Sequence, residues 1–191
     1  TTLFRSDSYL SVTKALMHSA ISADRKLNIV WIEAGMLEDT TLAEDPSSHA
    51  DAWAKVHSVD GILVPGGFGE RGTEGKILTA KYARENKVPF LGICLGMQAA
   101  VIEYARNVLG IKSAHSTEMV PECSNPAVIF MPEGSTTHMG GTMRLGARRT
   151  FFKTQDCKAA KLYNSSPFID ERHRHRYEVN PDMVDKLESA G

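Results

Sequence analysis

The residues best equipped for chemistry lie together in Pro89-Phe90-Leu91-Gly92-Ile93-Cys94-Leu95-Gly96-Met97-Gln98. An apolar, strand-like run ends at a cysteine held between two glycines, and an apolar, helix-like run starts directly after it. Gly-x-Cys-x-Gly at a strand-to-helix junction is the thiol form of a nucleophile elbow, a turn so tight that only glycine fits two residues to either side. The helix that follows aims its N-terminal amides and positive dipole end at the sulfur, a setting that favours negative charge there. A sulfur so placed suits acyl transfer: it attacks a carbonyl, a tetrahedral oxyanion forms and a leaving group departs. The other reading of Cys94 is a buried structural cysteine, the usual fate of a free Cys. The flanking glycines, which have no packing purpose of their own, favour the elbow.

An oxyanion needs amide donors, each worth on the order of 10²–10³ in rate. The N–H of Leu95, at the start of the helix, is one. A second must come from a neighbouring glycine turn, and Gly66-Gly67 follows another apolar run, Gly61-Ile62-Leu63-Val64-Pro65. The bland alternative for Gly66-Gly67-Phe68-Gly69 is a plain tight turn. A phosphate-binding reading is weaker: the run lacks the Gly-Lys-Ser/Thr of a P-loop.

The elements that must position these groups are legible in order. Ser6 and Asp7 read as N-caps to an amphipathic helix over residues 7 to 23, with Tyr9, Val12, Leu16 and Ala20 on one face. Asn28 to Glu33 reads as a buried strand, Leu37 to Ser48 as an acidic loop, and Ala50 to Ser58 as a short helix. Gly61 to Gly67 is a second strand running into its turn. Thr73 to Asn86 is a helix with Ile77, Leu78 and Tyr82 inward, Val88 to Ile93 a third strand, and Gly96 to Arg106 the helix behind the elbow. Beyond Gly110 the alternation stops. Residues 113 to 126 read as a loop, 127 to 131 as a strand and 133 to 141 as a loop. Residues 142 to 145 and 149 to 152 read as a hairpin, 156 to 162 as a short helix, 174 to 179 as a strand and 181 to 188 as a helix.

Alternating strands and helices predict βαβ units: an α/β fold with an open, mostly parallel sheet flanked by helices and a small antiparallel hairpin added. Ligands of such sheets bind at the carboxyl ends of strands, where Gly66-Gly67 and Cys94 both fall.

Composition removes several function classes. The 191 residues carry a net charge of −1, so no global field draws the chain to nucleic acid or membrane. Three scattered cysteines, Cys94, Cys123 and Cys157, argue against a disulfide framework and for a reducing, cytoplasmic setting. No apolar run reaches membrane-spanning length, and the start, Thr1-Thr2-Leu3-Phe4-Arg5, has neither a signal pattern nor an initiator Met, so the chain reads as a fragment or excised domain. The basic run Arg172-His173-Arg174-His175-Arg176 is short and flanked by Glu171 and Glu178, which argues against nucleic acid. His173 and His175 would share one face of a strand, but no further His or Cys completes a metal set, so no metal site is expected. His18, His49, His57 and His115 read as surface or helix-face residues, and His138 as a loop residue. None of them is assigned as a catalytic base.

Five stretches together carry a resemblance to a known family. They are Pro65 to Gly72 (PGGFGERG), Leu91 to Gln98 (LGICLGMQ), Ser116-Thr117-Glu118, Gly140 to Gly146 (GGTMRLG) and Glu171 to Glu178 (ERHRHRYE). The chain resembles the glutamine amidotransferase domain of the CTP synthase family from about Asp7 to Gly191. The elbow is common to all class I amidotransferases, and the last two motifs are specific to CTP synthases. The resemblance implies a flavodoxin-like domain over residues 1–191, lacking a first strand and a C-terminal His-Pro-Glu segment, in which Cys94 forms a glutamyl thioester and releases ammonia. It implies oxyanion amides from Gly67 and Leu95, and glutamine contacts from Gly67, Leu95, Gly96, Met97, Gln98, Glu118 and Arg176. Glu118 facing the ammonium and Arg176 the carboxylate fits the charges of a free amino acid. In such proteins the ammonia passes to a separate synthetase domain that uses ATP with Mg²⁺ to turn UTP into CTP, GTP activates the glutaminase half, and the full-length protein is a tetramer. The amidotransferase domain itself carries no cofactor.

Two departures stand out. The chain holds no His-Pro-Glu, so the base that serves the family's thiol has no counterpart in it, and the isolated 191 residues are expected to turn over little. Met119 replaces the aromatic residue usual after Ser-Thr-Glu. Two other function classes compete: a different elbow-cysteine hydrolase, which would carry its His just after the nucleophile where Leu95 stands, and an inactive regulatory module that keeps the pocket.

Overall fold

The computed structural model describes residues 6–131 and 144–190. The chain divides into two compact units, residues 1–103 and 104–191. Both mix helices with short strands, and both contain a parallel strand pair, so the α/β class read from the alternation holds.

The first unit opens with a 3₁₀ turn, Ser6–Tyr9, that leads into α1 (Leu10–Ser22). Tyr9, Val12, Leu16 and Ala20 are half-buried, with Thr13 beside Val12, and Leu10, Met17 and Ile21 are exposed, which is the face the spacing predicts. The expected caps start the 3₁₀ turn instead. The helix proper begins at Leu10 behind Tyr9, with no side-chain cap.

Two expectations in this unit are overturned. Asn28 to Glu33 forms no strand, and Val30 and Trp31 remain 36% and 44% exposed. A strand exists through a ladder with a neighbour, and among the described residues the sheet here consists of β1 and β2 paired with each other. Ile32 still packs on the cluster of Leu37, Ala52 and Val56, so the apolar run is used without a ladder. The acidic stretch from Leu37 to Ser48 is not a loop: it contains α2 (Asp39–Glu44) and the start of α3 (Pro46–His57). Pro46 is at the first helical position, where a missing N–H costs nothing, and Asp45 caps it by accepting the Ser48 N–H at 3.0 Å.

β1 (Ile62–Val64) and α4 (Thr73–Asn86) then lead to β2 (Phe90–Gly92), which lies parallel to β1 with Ile62 opposite Phe90 and Val64 opposite Gly92. α4 buries Ile77, Ala80 and Ala83, while Leu78 and Tyr82 are half-buried beside them. Gly75 lets the helix press onto the backbone at Ala34; a Cβ there would stand 1.9 Å from the Ala34 carbonyl oxygen. α5 (Leu95–Asn107) starts at once after the elbow and buries Leu95, Ala99 and Ile102.

In the second unit β3 (Ala114–Ser116) pairs in parallel with β4 (Asn125–Phe130). β3 lies inside the stretch read as a loop. Three residues are too few for a visible alternation, yet Ala114 and Ser116 are completely buried. The hairpin expected within residues 142 to 152 is also corrected: β5 (Arg144–Phe151) is one strand, and its partner is β6 (Phe168–His175), running antiparallel from Arg144 opposite His175 to Phe151 opposite Phe168. Gly146, at φ +81°, marks no turn and sits inside a continuous strand. α6 (Lys158–Leu162) connects the two. β7 (Tyr177–Val179) pairs antiparallel with β4, and α7 (Pro181–Ser189) follows with Asn180 as its cap. The strand expected over residues 174 to 179 is therefore split at Arg176 between two sheets. His138, the loop expected over residues 133 to 141, and residues 140 to 143 of the Gly-Gly-Thr-Met motif lie outside the described residues.

Candidate active site at the β2–α5 elbow

The ladder of β1 and β2 runs up to the cysteine. The Ile93 N–H donates to the Val64 carbonyl at 2.9 Å, and then the chain reverses. Cys94 has φ +55°, in the left-handed region that costs a side-chain-bearing residue about 1–2 kcal/mol. The Cys94 carbonyl accepts the Gln98 N–H at 3.0 Å, so α5 begins on the cysteine itself. A non-glycine residue held at positive φ between a strand and a helix is the backbone signature of a nucleophile elbow. Its side chain is half-buried, which rules out a cysteine sealed in the core.

Both flanking glycines are required by close approach. A Cβ on Gly92 would meet the Gly96 carbonyl carbon and the Met97 nitrogen at 2.5 Å, and one on Gly96 would meet the Val64 carbonyl oxygen at 2.1 Å. The turn after β1 lies against the elbow as well. A Cβ on Gly66 would stand 3.1 Å from Cys94 Cβ and 3.8 Å from its Sγ, and one on Gly67 would be 3.6 Å from Leu95 Cδ2. Cys94, Leu95, Gly66 and Gly67 are thus brought together, as the strand-end rule predicts. Leu95 is at the first helical position, where amides have no intrahelical acceptor.

The other residues singled out in the sequence divide by environment. Gly96 is packed on β1, Gln98 is 4% exposed on the buried face of α5, and Met97 beside them is 38% exposed. Glu118 and Arg176 belong to the second unit. β3 ends at Ser116, whose hydroxyl accepts the Glu118 N–H at 3.2 Å. Arg176 occupies the bend between β6 and β7, its carbonyl accepting the Met131 N–H at 2.8 Å, and its Nε is buried without a hydrogen-bond partner. His173 and His175 share one face of β6 with ring centroids 5.3 Å apart. Among the described residues no three His, Cys, Asp or Glu side chains cluster as metal ligands, and no helix is long and apolar enough to cross a membrane.

One supporting contact escapes a reading of the sequence. Arg84 of α4 holds Glu103 of α5, whose carboxylate is 3% exposed. The available signal is an acid on the apolar face of α5, which demands a cation partner.

A strand-ending cysteine at positive φ, walled by glycine backbone and heading a helix, is a nucleophile elbow, and the family comparison assigns it to the class I amidotransferases. The model of the glutamine amidotransferase class-I family matches residues 5–190, and the chain belongs to that family. Its relatives include CTP synthase 2 of Xenopus laevis, 55% identical over 186 residues, and the CTP synthase of Eremothecium gossypii, 57% identical over 189 residues. Each alignment covers 97% of this chain and 32% or 33% of the relative, so the chain spans about a third of the length of the curated relatives it matches. Among solved structures it is similar to the glutaminase domain of Trypanosoma brucei CTPS with bound acivicin, at 37% identity and a TM-score of 0.87, over 100% of this chain and 69% of that one.

Proposed function

We propose that this chain is the glutamine-hydrolysing part of a CTP synthase, with Cys94 as its nucleophile. The observation that carries the reading is Cys94 at φ +55° on the β2–α5 elbow with the Gly66-Gly67 turn against it. The sulfur attacks the side-chain carbonyl carbon of glutamine. A C–S bond forms, the carbonyl electrons move to oxygen, and the amide N–H groups of Gly67 and Leu95 receive that oxyanion. The C–N bond then breaks, the nitrogen leaves as ammonia carrying the proton that the Cys94 thiol gave up, and water cleaves the thioester to glutamate while returning a proton to the sulfur.

Gly67, Leu95, Gly96, Met97 and Gln98 form the amide end of the glutamine site. Glu118 receives the ammonium and Arg176 the carboxylate. A buried guanidinium N–H without an acceptor is unfavourable by about 1–3 kcal/mol, and the Arg176 Nε is in that state. A ligand carboxylate relieves it.

Residues 1–191 are read as one amidotransferase domain of a longer cytoplasmic polypeptide, in line with relatives three times its length. The ammonia serves a synthetase domain that aminates UTP with ATP and Mg²⁺, under GTP activation, in a tetramer.

The test is covalent capture. A glutamine-like chloroketone should label Cys94 in a saturable way, glutamine should protect it, and Cys94→Ala should abolish the label. Labelling of Cys123 or Cys157 at equal rate, or no protection by glutamine, overturns the reading.

A further inference from the structure

One residue fixes three successive backbone amides at the end of β3. Ser116, the last residue of that strand, is completely buried. Its carbonyl accepts the Met119 N–H at 3.2 Å and the Val120 N–H at 2.9 Å, and its hydroxyl accepts the Glu118 N–H at 3.2 Å. The intervening Thr117 N–H donates across the ladder to the Val128 carbonyl of β4 at 3.0 Å. The ladder shifts register at the same point: His115 lies opposite Pro126 but Ser116 lies opposite Val128, so β4 contributes one residue more than β3. Register shifts of this kind re-aim a side chain or terminate pairing. Here the pairing ends, and the chain turns through Glu118 with every amide from residue 117 to residue 120 held.

We propose that Ser116 is a positioning residue for glutamine recognition: its hydroxyl, by holding the Glu118 amide, sets the backbone from which the Glu118 carboxylate meets the ammonium of the substrate. The inference rests on the glutamine reading given above, with Glu118 as the partner of the ammonium. The two bonds to the Ser116 carbonyl close the turn behind Glu118, whereas the hydroxyl bond alone reaches the amide of Glu118 itself. A serine hydroxyl bonded to the amide two residues on is a local turn device that fixes the peptide between them. With no exposure, the Ser116 side chain has no water to bond in place of that amide, so its direction is set by the fold. Without the hydroxyl, the partly buried Glu118 N–H must find another acceptor. It does so by turning its peptide, and the carboxylate turns with it.

The experiment follows Cys94 labelling of the 191-residue chain by mass spectrometry. One reagent is a glutamine-like chloroketone, and the other is the same chloroketone lacking only its amino group. The unsubstituted chain should half-saturate at a lower concentration of the amino reagent. Ser116→Ala should raise that half-saturating concentration about fivefold, the worth of one hydrogen bond, while the maximal labelling rate and the half-saturation of the des-amino reagent stay unchanged. A role in folding alone would move both reagents together. Ser116→Cys keeps a weaker acceptor in nearly the same volume. It should show the same selective shift at a smaller size, and it decides the question if Ser116→Ala does not fold. In a Glu118→Gln background, which lacks the carboxylate, Ser116→Ala should add nothing further. A shift shared by both reagents, no shift in either Ser116 variant, or a full shift that persists in the Glu118→Gln background overturns the assignment. Should the unsubstituted chain fail to distinguish the two chloroketones, the glutamine reading with Glu118 on the ammonium itself fails, and this inference falls with it.

Discussion

Gly96 of α5 lies so close to Val64 of β1 that a Cβ on the glycine would stand 2.1 Å from the Val64 carbonyl oxygen and 2.8 Å from its carbon. That approach sets the first turn of α5 against β1, and so fixes where the Leu95 amide points relative to Cys94.

Gly96→Ala should therefore push α5 away from β1 rather than merely crowd a side chain, because the obstacle is backbone on both sides. A destabilisation of about 3 kcal/mol is expected, with loss of selective Cys94 labelling even at temperatures where the variant stays folded. Gly67→Ala, with only Leu95 Cδ2 at 3.6 Å nearby, should fold normally and serves as the contrast. Equal melting temperatures for Gly96→Ala and Gly67→Ala in a thermal scan would contradict this account.

Arg84 and Glu103 supply the second prediction. The Arg84 Nε donates to both Glu103 oxygens at 3.2 and 3.1 Å and Nη2 donates to Oε1 at 2.7 Å, tying α4 to α5. The carboxylate is 3% exposed and the guanidinium 34% exposed, so the pair is lopsided. Arg84→Ala removes the cation bonded to a buried carboxylate and should destabilise by about 3 kcal/mol, whereas Glu103→Leu leaves a cation that can still reach water and should cost clearly less. A double change, Arg84→Met with Glu103→Leu, should recover most of the loss in chemical denaturation. If Arg84→Ala proves the milder of the two single changes, the picture of a buried acid held by an exposed base is wrong.

The elbow is legible in the sequence because its constraints are local. Gly92, Cys94 and Gly96 are dictated by a single tight turn, and glycine at such spacing serves little else. α4 is legible to its exact bounds because its apolar positions recur over fourteen residues and Gly72 and Lys87 adopt left-handed backbone at its ends. What stays hidden depends on distant partners. Asn28 to Glu33 has strand composition, but a ladder needs a neighbour that composition cannot supply. β3 is three residues long and is recognised only through its pairing with β4. Pro46 has the look of a loop residue, yet its place directly after Asp45 makes it a helix start.

Asp45 makes the final prediction, one of pH. Its carboxylate accepts the Ser48 hydroxyl at 2.6 Å, the Ser47 hydroxyl at 2.7 Å and the Ser48 N–H at 3.0 Å. These bonds, led by those from the Ser48 and Ser47 side chains, hold its pKa at about 2, below the ordinary 3.8. A pKa lowered by folding means that the charged form stabilises the fold. The contribution is complete above about pH 4 and is lost as the pH falls through about 2. Asp45→Ala should lower the melting temperature at neutral pH by a modest amount, since the site is open to solvent, and the gap to the unsubstituted chain should narrow steadily between about pH 4 and about pH 2. Asp45→Asn keeps a capping oxygen without the charge and should show a smaller gap at neutral pH, one that narrows by the same amount over the same range because neither replacement titrates. A gap for Asp45→Ala that stays constant down to about pH 2 would mean that α3 is started by Pro46 alone and that the capping carboxylate adds nothing.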